Sequence, residues 1–196
     1  MSIKFLVGFM SIKKKVQKIF EKLRRSNYGP KVICIGYNKT GTTSCGKAFE
    51  LLGYRNLSFD PFIWRELYKK GKLEELMNIA SKYDSFDDLP WLKEDMIPLL
   101  DKTFPGSKFV YLERDEDSWK KSIYHWHFKE KRTYPQNMDE LLEEYRNHRK
   151  FVVDYFKERG NDFFTINVTS TLALNDLANF LGKKAPQPHM PHENRT

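Results

Sequence analysis

The sequence predicts an α/β fold with three layers, in which a central, mainly parallel β-sheet is flanked by helices. Three short apolar runs have the composition of buried strands, at residues 32–35, 108–112 and 163–168. Each run passes through a polar segment into a helical pattern, and strands that alternate with helices are typical of parallel sheets. Ligands of such sheets bind at the carboxyl ends of the strands, so the residues after each strand can form a site.

The other elements are predicted from periodicity and turn residues. Two weaker strands are expected at residues 54–59 and 83–86. Helices are expected at residues 44–52, 64–82 with an interruption at Gly71, 91–104, 115–130, 138–159 and 172–181. A chain of 196 residues is long enough for one core, so we expect a single α/β domain at residues 31–196. A basic amphipathic helix with its linker, residues 1–30, precedes this domain.

The charge of the chain is strongly basic and favours an anionic ligand, with a net charge of +8 and an isoelectric point near 9.3. Part of the excess lies in the amphipathic segment 10–25. We expect this segment to pack on the domain, with weak association to an acidic membrane surface as the alternative. We expect no integral membrane segment and no nucleic-acid partner, because neither kind of motif is present. Cys34 and Cys45 lack a metal-binding spacing, and reduced thiols without a signal peptide predict a cytoplasmic protein.

Residues 36–44, here named the glycine loop, lie between the first predicted strand and the first predicted helix. The loop reads Gly-Tyr-Asn-Lys-Thr-Gly-Thr-Thr-Ser. The first amides of a helix and its dipole favour an anion at such a junction. Lys39 adds a positive charge, and four hydroxyl residues add hydrogen-bond donors: Thr40, Thr42, Thr43 and Ser44. The glycine loop therefore predicts a site for a phosphate-like group.

The glycine loop differs from the Walker A pattern G-x-x-x-x-G-K-[ST] of nucleoside triphosphatases. Gly36 and Gly41 have the Walker spacing, but Thr42 stands where the lysine belongs, and Lys39 precedes the second glycine. The Ser or Thr hydroxyl that holds magnesium in the Walker pattern therefore lacks the lysine that normally precedes it. An ordinary nucleoside triphosphatase is disfavoured.

A second anion-binding signal follows the strand at 108–112. Arg114 comes directly after this strand, and Ser122 follows eight residues later on the next predicted helix. An arginine at the carboxyl end of a strand can reach the same crevice as Lys39, and its planar guanidinium suits bidentate phosphate binding. Ser122 can place a hydroxyl on the same phosphate.

These two segments together resemble the nucleotide-binding motifs of sulfotransferases. The run Lys39-Thr-Gly-Thr-Thr-Ser44 is similar to the loop that holds the 5′-phosphosulfate of 3′-phosphoadenosine-5′-phosphosulfate (PAPS). The run 109–124 resembles the family's 3′-phosphate motif, with Ser118 as one departure. The stretch 173–186 resembles the family's closing helix, and the segments 88–91 and 104–109 resemble a compact, largely uncharacterised branch. The resemblance covers about residues 31–190, and no late R-K-G segment matches.

The resemblance implies transfer of a sulfuryl group from PAPS to a hydroxyl or amine of an acceptor, a small molecule or a glycan. The product nucleotide is PAP, and no metal is required. Carried over by position, six residues would hold the 5′-phosphosulfate: Lys39, Thr40, Gly41, Thr42, Thr43 and Ser44. Arg114 and Ser122 would hold the 3′-phosphate, and a P-loop-type fold is implied.

The acceptor also needs a group that takes its proton. The resemblance ranks Asp88 first, because many cytosolic sulfotransferases have histidine near the matching position, and Asp60 second, because glycan sulfotransferases have a catalytic glutamate near there. His125 and His127 are weaker candidates. Asp88 could instead cap a helix that begins near Trp91, and Asp60 could be a turn residue before Pro61.

Two other functions stay open from the sequence. One is a small-molecule kinase that uses a nucleoside triphosphate and a degenerate P-loop, with Asp87 or Asp88 on magnesium. The other is a non-catalytic module that binds PAP without turnover. Neither the acceptor nor the oligomeric state is predicted.

Overall fold

The computed structural model describes residues 29–129 and 137–191. The basic segment 10–25 lies outside these ranges, so its role and the domain division at residue 30 stay predictions. The elements follow the predicted order: β1 Val32–Cys34, α1 Thr42–Leu51, β2 Asn56–Leu57, a π-helical segment Ile63–Tyr68, α2 Leu73–Ala80, β3 Ser85–Phe86, α3 Met96–Thr103, β4 Lys108–Leu112, α4 Glu116–Lys129, α5 Met138–Phe156, β5 Phe163–Ile166 and α6 Ala173–Phe180.

The five strands form one parallel sheet in the order β2-β3-β1-β4-β5. Val32 of β1 pairs with Ser85 of β3 on one side and with Lys108 of β4 on the other. Helices cover both faces of the sheet, which confirms the predicted α/β fold with three layers. No helix within the described ranges is long and apolar enough to cross a membrane.

The two faces of the sheet have separate apolar cores because successive strand residues point to opposite sides. Val32 and Cys34 pack with α1 and α6, whereas Ile33 packs with side chains of the π-helical segment, α2, α3 and α5. A third cluster joins α4 to α5 through Trp119, Ile123, Leu142 and Tyr145. This third cluster lies beside the glycine loop, as its contact with Tyr37 indicates.

Two predicted helices differ from the structure. The helix expected at 91–104 begins only at Met96, because the buried side chains of Trp91 and Leu92 belong to an irregular turn. The helix expected at 64–82 is interrupted at Gly71 as predicted, where φ is 66° and left-handed, but the part before Gly71 is π-helical and not α-helical. The strands expected at 54–59 and 83–86 shorten to two residues each.

Candidate functional site

The glycine loop makes a tight turn that requires both of its glycines. The Thr40 amide and the Thr40 hydroxyl both donate to the Tyr37 carbonyl, at 3.1 and 2.7 Å. Gly41 has a left-handed φ of 107°, and a Cβ there would lie 2.7 Å from a methyl carbon of Val168. A Cβ on Gly36 would lie 2.6 Å from Leu112 Cβ. The turn therefore brings the loop backbone close to the ends of β4 and β5.

Helix α1 begins at Thr42, directly after Gly41, and its first turn contains no acidic residue. The first amides of a helix have no acceptor within the helix, so they attract an anion. Of the hydroxyl residues predicted there, Thr42 is buried, Ser44 is half-buried and Thr43 is exposed. The structure thus places the start of α1 where the sequence predicts the phosphate-like group.

Side chains from α4, α5 and the end of β4 bind the carbonyl groups of the glycine loop and its approach. Arg114 Nη1 donates to the Lys39 carbonyl at 2.7 Å, and Trp119 Nε1 donates to the Asn38 carbonyl at 2.8 Å. His148 Nε2 lies 2.8 Å from the Ile35 carbonyl. Burial lowers the pKa of His148, so the ring is neutral near pH 7 and Nε2 carries the proton that it donates.

The structure brings Arg114 to the glycine loop across 75 residues of sequence. The Tyr145 hydroxyl donates to the Arg114 carbonyl at 2.5 Å, and the Tyr145 ring stacks on Trp119 with centroids 4.8 Å apart. The Arg114 side chain is half-buried. Ser122 is 7% exposed and lies one helical turn after Trp119 on α4. The predicted 3′-phosphate ligands therefore lie on the elements that hold the loop.

Lys39 and Asp88 are the two non-glycine residues with a left-handed backbone among those that the structure describes, with φ of 69° and 65°. Such strain persists only where the surroundings enforce it, and it clusters at functional sites. Lys39 Nζ lies 4.4 Å from the centre of the Trp126 ring. Burial raises the pKa of Asp88, while the Leu89 amide and the Lys39 charge oppose that rise.

The comparison with protein families agrees with this geometry. Residues 31–139, more than half of the 196, match a family model described as a sulfotransferase domain. The chain belongs to the sulfotransferase family. The matched range contains the glycine loop, Asp60, Asp88, Arg114 and Ser122. No curated protein sequence matches the chain significantly.

The environment of Asp88 in this sulfotransferase removes one alternative for it. Helix α3 begins at Met96, and Asp95 occupies the position before it, so the prediction that Asp88 caps this helix is wrong. Asp88 Oδ1 instead accepts a hydrogen bond from the Leu89 amide at 2.7 Å. Its carboxylate is close enough to Lys39 for the lysine charge to act on its pKa. This leaves Asp88 as a candidate base beside the glycine loop.

The other candidate bases have different surroundings. Asp60 Oδ1 accepts a hydrogen bond from the Ile63 amide at 2.9 Å, which fits the turn role that the sequence offers as its alternative. His125 is exposed, and the His127 and Trp126 rings meet edge to face at a centroid distance of 5.1 Å. A catalytic role for Asp60 or either histidine stays a prediction.

Asp87 is almost fully buried directly after β3, and its carboxylate lies against residues of β2 and α1. Its Oδ1 accepts from Asn56 Nδ2 at 2.5 Å, and its Oδ2 accepts from the Ser58 hydroxyl at 2.9 Å. A Cβ on Gly46, in the middle of α1, would overlap Asp87 Oδ1. Burial raises the pKa of Asp87 to about 6. To bind magnesium, as the kinase alternative requires, Asp87 would have to give up these hydrogen bonds. The arrangement therefore does not favour Asp87 as a magnesium ligand.

The sequence did not reveal the side chains that hold the glycine loop from behind. Trp119 lies inside the run 109–124 that resembles a 3′-phosphate motif, but nothing in its spacing indicates a hydrogen bond to the Asn38 carbonyl. Tyr145 and His148 lie three residues apart on one face of α5, a spacing shared by most buried helical residues. The contact of Tyr37 with both rings could be found only from the fold.

Proposed function

We propose that this sulfotransferase transfers a sulfuryl group from PAPS to a hydroxyl or amine of a small-molecule or glycan acceptor. One observation carries the proposal: the guanidinium of Arg114 donates to the carbonyl of Lys39. This contact joins the residue predicted for the 3′-phosphate to the loop predicted for the 5′-phosphosulfate. Members of the family generally use PAPS and need no metal.

The roles proposed for the donor site follow from charge and position. Lys39, the hydroxyls of Thr42, Thr43 and Ser44, and the amides at Gly41 and the start of α1 hold the 5′-phosphosulfate. Thr40, which the sequence also places among these ligands, uses its hydroxyl proton on the Tyr37 carbonyl and contributes by shaping the loop. Arg114 and Ser122 hold the 3′-phosphate. Negative charge grows on the bridging oxygen of the leaving phosphate during transfer, and the Lys39 ammonium and helix amides stabilise it electrostatically.

Asp88 is the base that we propose for the acceptor. The acceptor oxygen or nitrogen forms a bond to sulfur while the bond from sulfur to the bridging oxygen breaks. The acceptor proton passes to the Asp88 carboxylate, and the electron pair of the broken bond leaves with PAP. Asp88 follows β3, which neighbours β1 on the side opposite β4. The acceptor would therefore reach the glycine loop from the half of the sheet that contains β2 and β3.

We also propose that the protein acts in the cytoplasm. Cys34 and Cys45 are buried free thiols in the structure, which agrees with a reducing compartment.

Calorimetric titration with PAP and, separately, with ATP plus magnesium tests the proposed donor. We expect the wild-type protein to bind PAP, and Arg114→Ala to weaken that binding by about tenfold or more, because charged hydrogen bonds to phosphate are lost. Arg55→Ala is the matched control, since Arg55 is an exposed arginine that pairs with Asp84. ATP binding that does not respond to Arg114→Ala would overturn the proposal in favour of a kinase.

A further inference from the structure

The stacked rings of Trp119 and Tyr145 connect the two ends of the proposed donor site. The rings lie 4.8 Å apart at an interplanar angle of 7°. Each ring carries one hydrogen-bond donor, and the two donors point to different ends. Trp119 Nε1 donates to the Asn38 carbonyl in the glycine loop, whereas the Tyr145 hydroxyl donates to the carbonyl of Arg114.

We propose that the Trp119–Tyr145 pair is a spacer that sets the separation between the 5′ and the 3′ anion sites. The pair thereby selects a nucleoside that carries phosphates at both positions. Both residues are positioning residues, because they act on the ligand through the loop backbone and through Arg114. The inference rests on the proposed function and extends it to the selectivity of the donor site.

The planarity of the peptide bond explains how a ring behind the loop can act on a ligand in front of it. In a trans peptide the carbonyl and the next N–H point in opposite directions. The bond from Trp119 to the Asn38 carbonyl therefore fixes the direction of the Lys39 N–H, on the far side of the peptide plane. Within this proposal the Lys39 amide faces the 5′-phosphate, so loss of the Trp119 bond lets this peptide turn and weakens that contact.

Burial makes the spacer rigid. Trp119 is fully buried and Tyr145 is 1% exposed. The Tyr37 ring contacts both of them, with centroids 6.4 and 5.9 Å away. The Tyr37 hydroxyl donates to Glu144 Oε2 at 2.9 Å on α5, the helix that carries Tyr145. A pair packed in this way cannot shift without disturbing the third apolar cluster, so it holds its two backbone partners at one separation.

Two conservative variants separate the two ends of the spacer. Trp119→Phe removes the donor to the glycine loop, and Tyr145→Phe removes the donor to Arg114, while each keeps an aromatic ring in the stack. Trp91→Phe is the matched control. Trp91 is fully buried like Trp119, but its Nε1 has no hydrogen-bond partner within the described residues, so this variant loses packing alone.

The test measures dissociation constants of each variant for PAP, adenosine 5′-phosphate and adenosine 3′-phosphate, with thermal melting as the readout for folding. Trp119→Phe should reduce the affinity gained from the 5′-phosphate, the ratio of the adenosine 3′-phosphate constant to the PAP constant, by about 3- to 10-fold. Tyr145→Phe should reduce the gain from the 3′-phosphate, the ratio of the adenosine 5′-phosphate constant to the PAP constant, by a similar factor. Trp91→Phe should leave both ratios unchanged.

Other outcomes distinguish the failures. If Trp119→Phe and Tyr145→Phe lower the melting temperature but keep both ratios at the wild-type value, the pair is only structural and the spacer is refuted. If Trp91→Phe changes the ratios as much as Trp119→Phe does, the effect is general packing, which also refutes it. A wild-type protein that binds none of the three nucleotides would overturn the proposed function, and the spacer with it.

Discussion

The two sides of β1 differ in how firmly their residues are held. On the side of β4 and β5, here named the donor side after its proposed ligand, β4 pairs with β5 over four residues, and side chains from α4, α5 and the end of β4 bind the loop carbonyls. On the side of β2 and β3, here named the acceptor side because we propose that the acceptor binds there, the two strands have two residues each and lead into a π-helical segment and an irregular turn. Phe59 and Phe62, which follow β2, are 46% and 59% exposed.

The difference matches the roles that we propose for the two sides. The proposed donor is the same nucleotide in every turnover, so its site gains from a backbone held in one arrangement. The acceptor side combines one enforced residue, Asp88, with short strands and exposed aromatic rings. We infer that the chemistry is fixed by Lys39 and Asp88, where the two sides meet, and that acceptor choice depends on the looser side.

The largest effect is expected from Lys39→Ala, which removes the proposed charge that stabilises the leaving phosphate. The turnover number with PAPS and an acceptor that the wild type sulfates should fall by about 10²- to 10³-fold, the usual loss for one preorganised donor at a developing charge. Lys47→Ala is the control, because Lys47 is an exposed lysine on α1 paired with Glu50. Unchanged turnover in Lys39→Ala would mean that the donor side does not contribute its lysine to catalysis.

The next effect compares the two candidate bases on the acceptor side. Asp88→Asn should lower the turnover number by about 10²-fold, because general-base catalysis is lost, while Asp60→Asn should stay near the wild-type rate. Asp88 has to be ionised to accept a proton. Ionisation of Asp88 should therefore appear as a rise of kcat/KM with pH. Since burial raises the pKa of Asp88, this rise should occur at a higher pH than an ordinary aspartate would give, and Asp88→Asn should lack it.

A reversed result would change which residue is assigned as the base, but not the difference between the donor side and the acceptor side. If Asp60→Asn is the slower variant and carries the change in the pH profile, Asp60 is the base. Its bond to the Ile63 amide would then be a means of orienting it.

The smallest effect is a pH dependence of stability at Asp87. Burial raises the pKa of Asp87 to about 6 in the folded protein, above about 3.9 for an unfolded aspartate. The folded state therefore holds this proton more tightly, so the stability linked to it is present at low pH and is lost as the pH rises through 6. Asp87→Asn can keep both hydrogen bonds, because the Ser58 hydroxyl can turn to accept.

Chemical denaturation at pH 5 and at pH 7 checks this effect. The unfolding free energy of the wild type minus that of Asp87→Asn should fall by about 1 kcal/mol from pH 5 to pH 7. An equal difference at both pH values would show that Asp87 stays ionised in the fold. The acceptor side would then carry a permanent second charge next to Asp88.

Much of the donor side could be predicted from sequence because its signals are local. The apolar run of β1, the two glycines and the periodicity of α1 each report the structure at their own positions, and parallel topology brings Arg114 to the same edge. The bond from Arg114 to the Lys39 carbonyl could not be predicted. The sequence around an arginine after a strand is the same whether its guanidinium binds a ligand or a backbone carbonyl. The same holds for Trp119, Tyr145 and His148, whose helical spacing signals only burial.

The acceptor side was harder to predict because its elements are short and irregular. Trp91 and Leu92 are buried in a turn, and their apolar character made the helix at 91–104 start five residues too early. A two-residue strand such as β3 has too few positions for alternation to be recognised. The left-handed backbone of Asp88 also leaves no trace in composition, whereas that of Gly41 is indicated by the glycine itself.

A crystal structure of the protein with bound PAP tests the central claim, a donor site with two ends, most directly. The measured quantity is the distance from the 3′-phosphate oxygens to the Arg114 guanidinium, with the 5′-phosphate at the amides of the glycine loop. We predict hydrogen-bond distances, about 3 Å, at both ends in the same molecule. A nucleotide whose 5′-phosphate occupies the glycine loop while its 3′-phosphate points away from Arg114 and Ser122 would contradict the account.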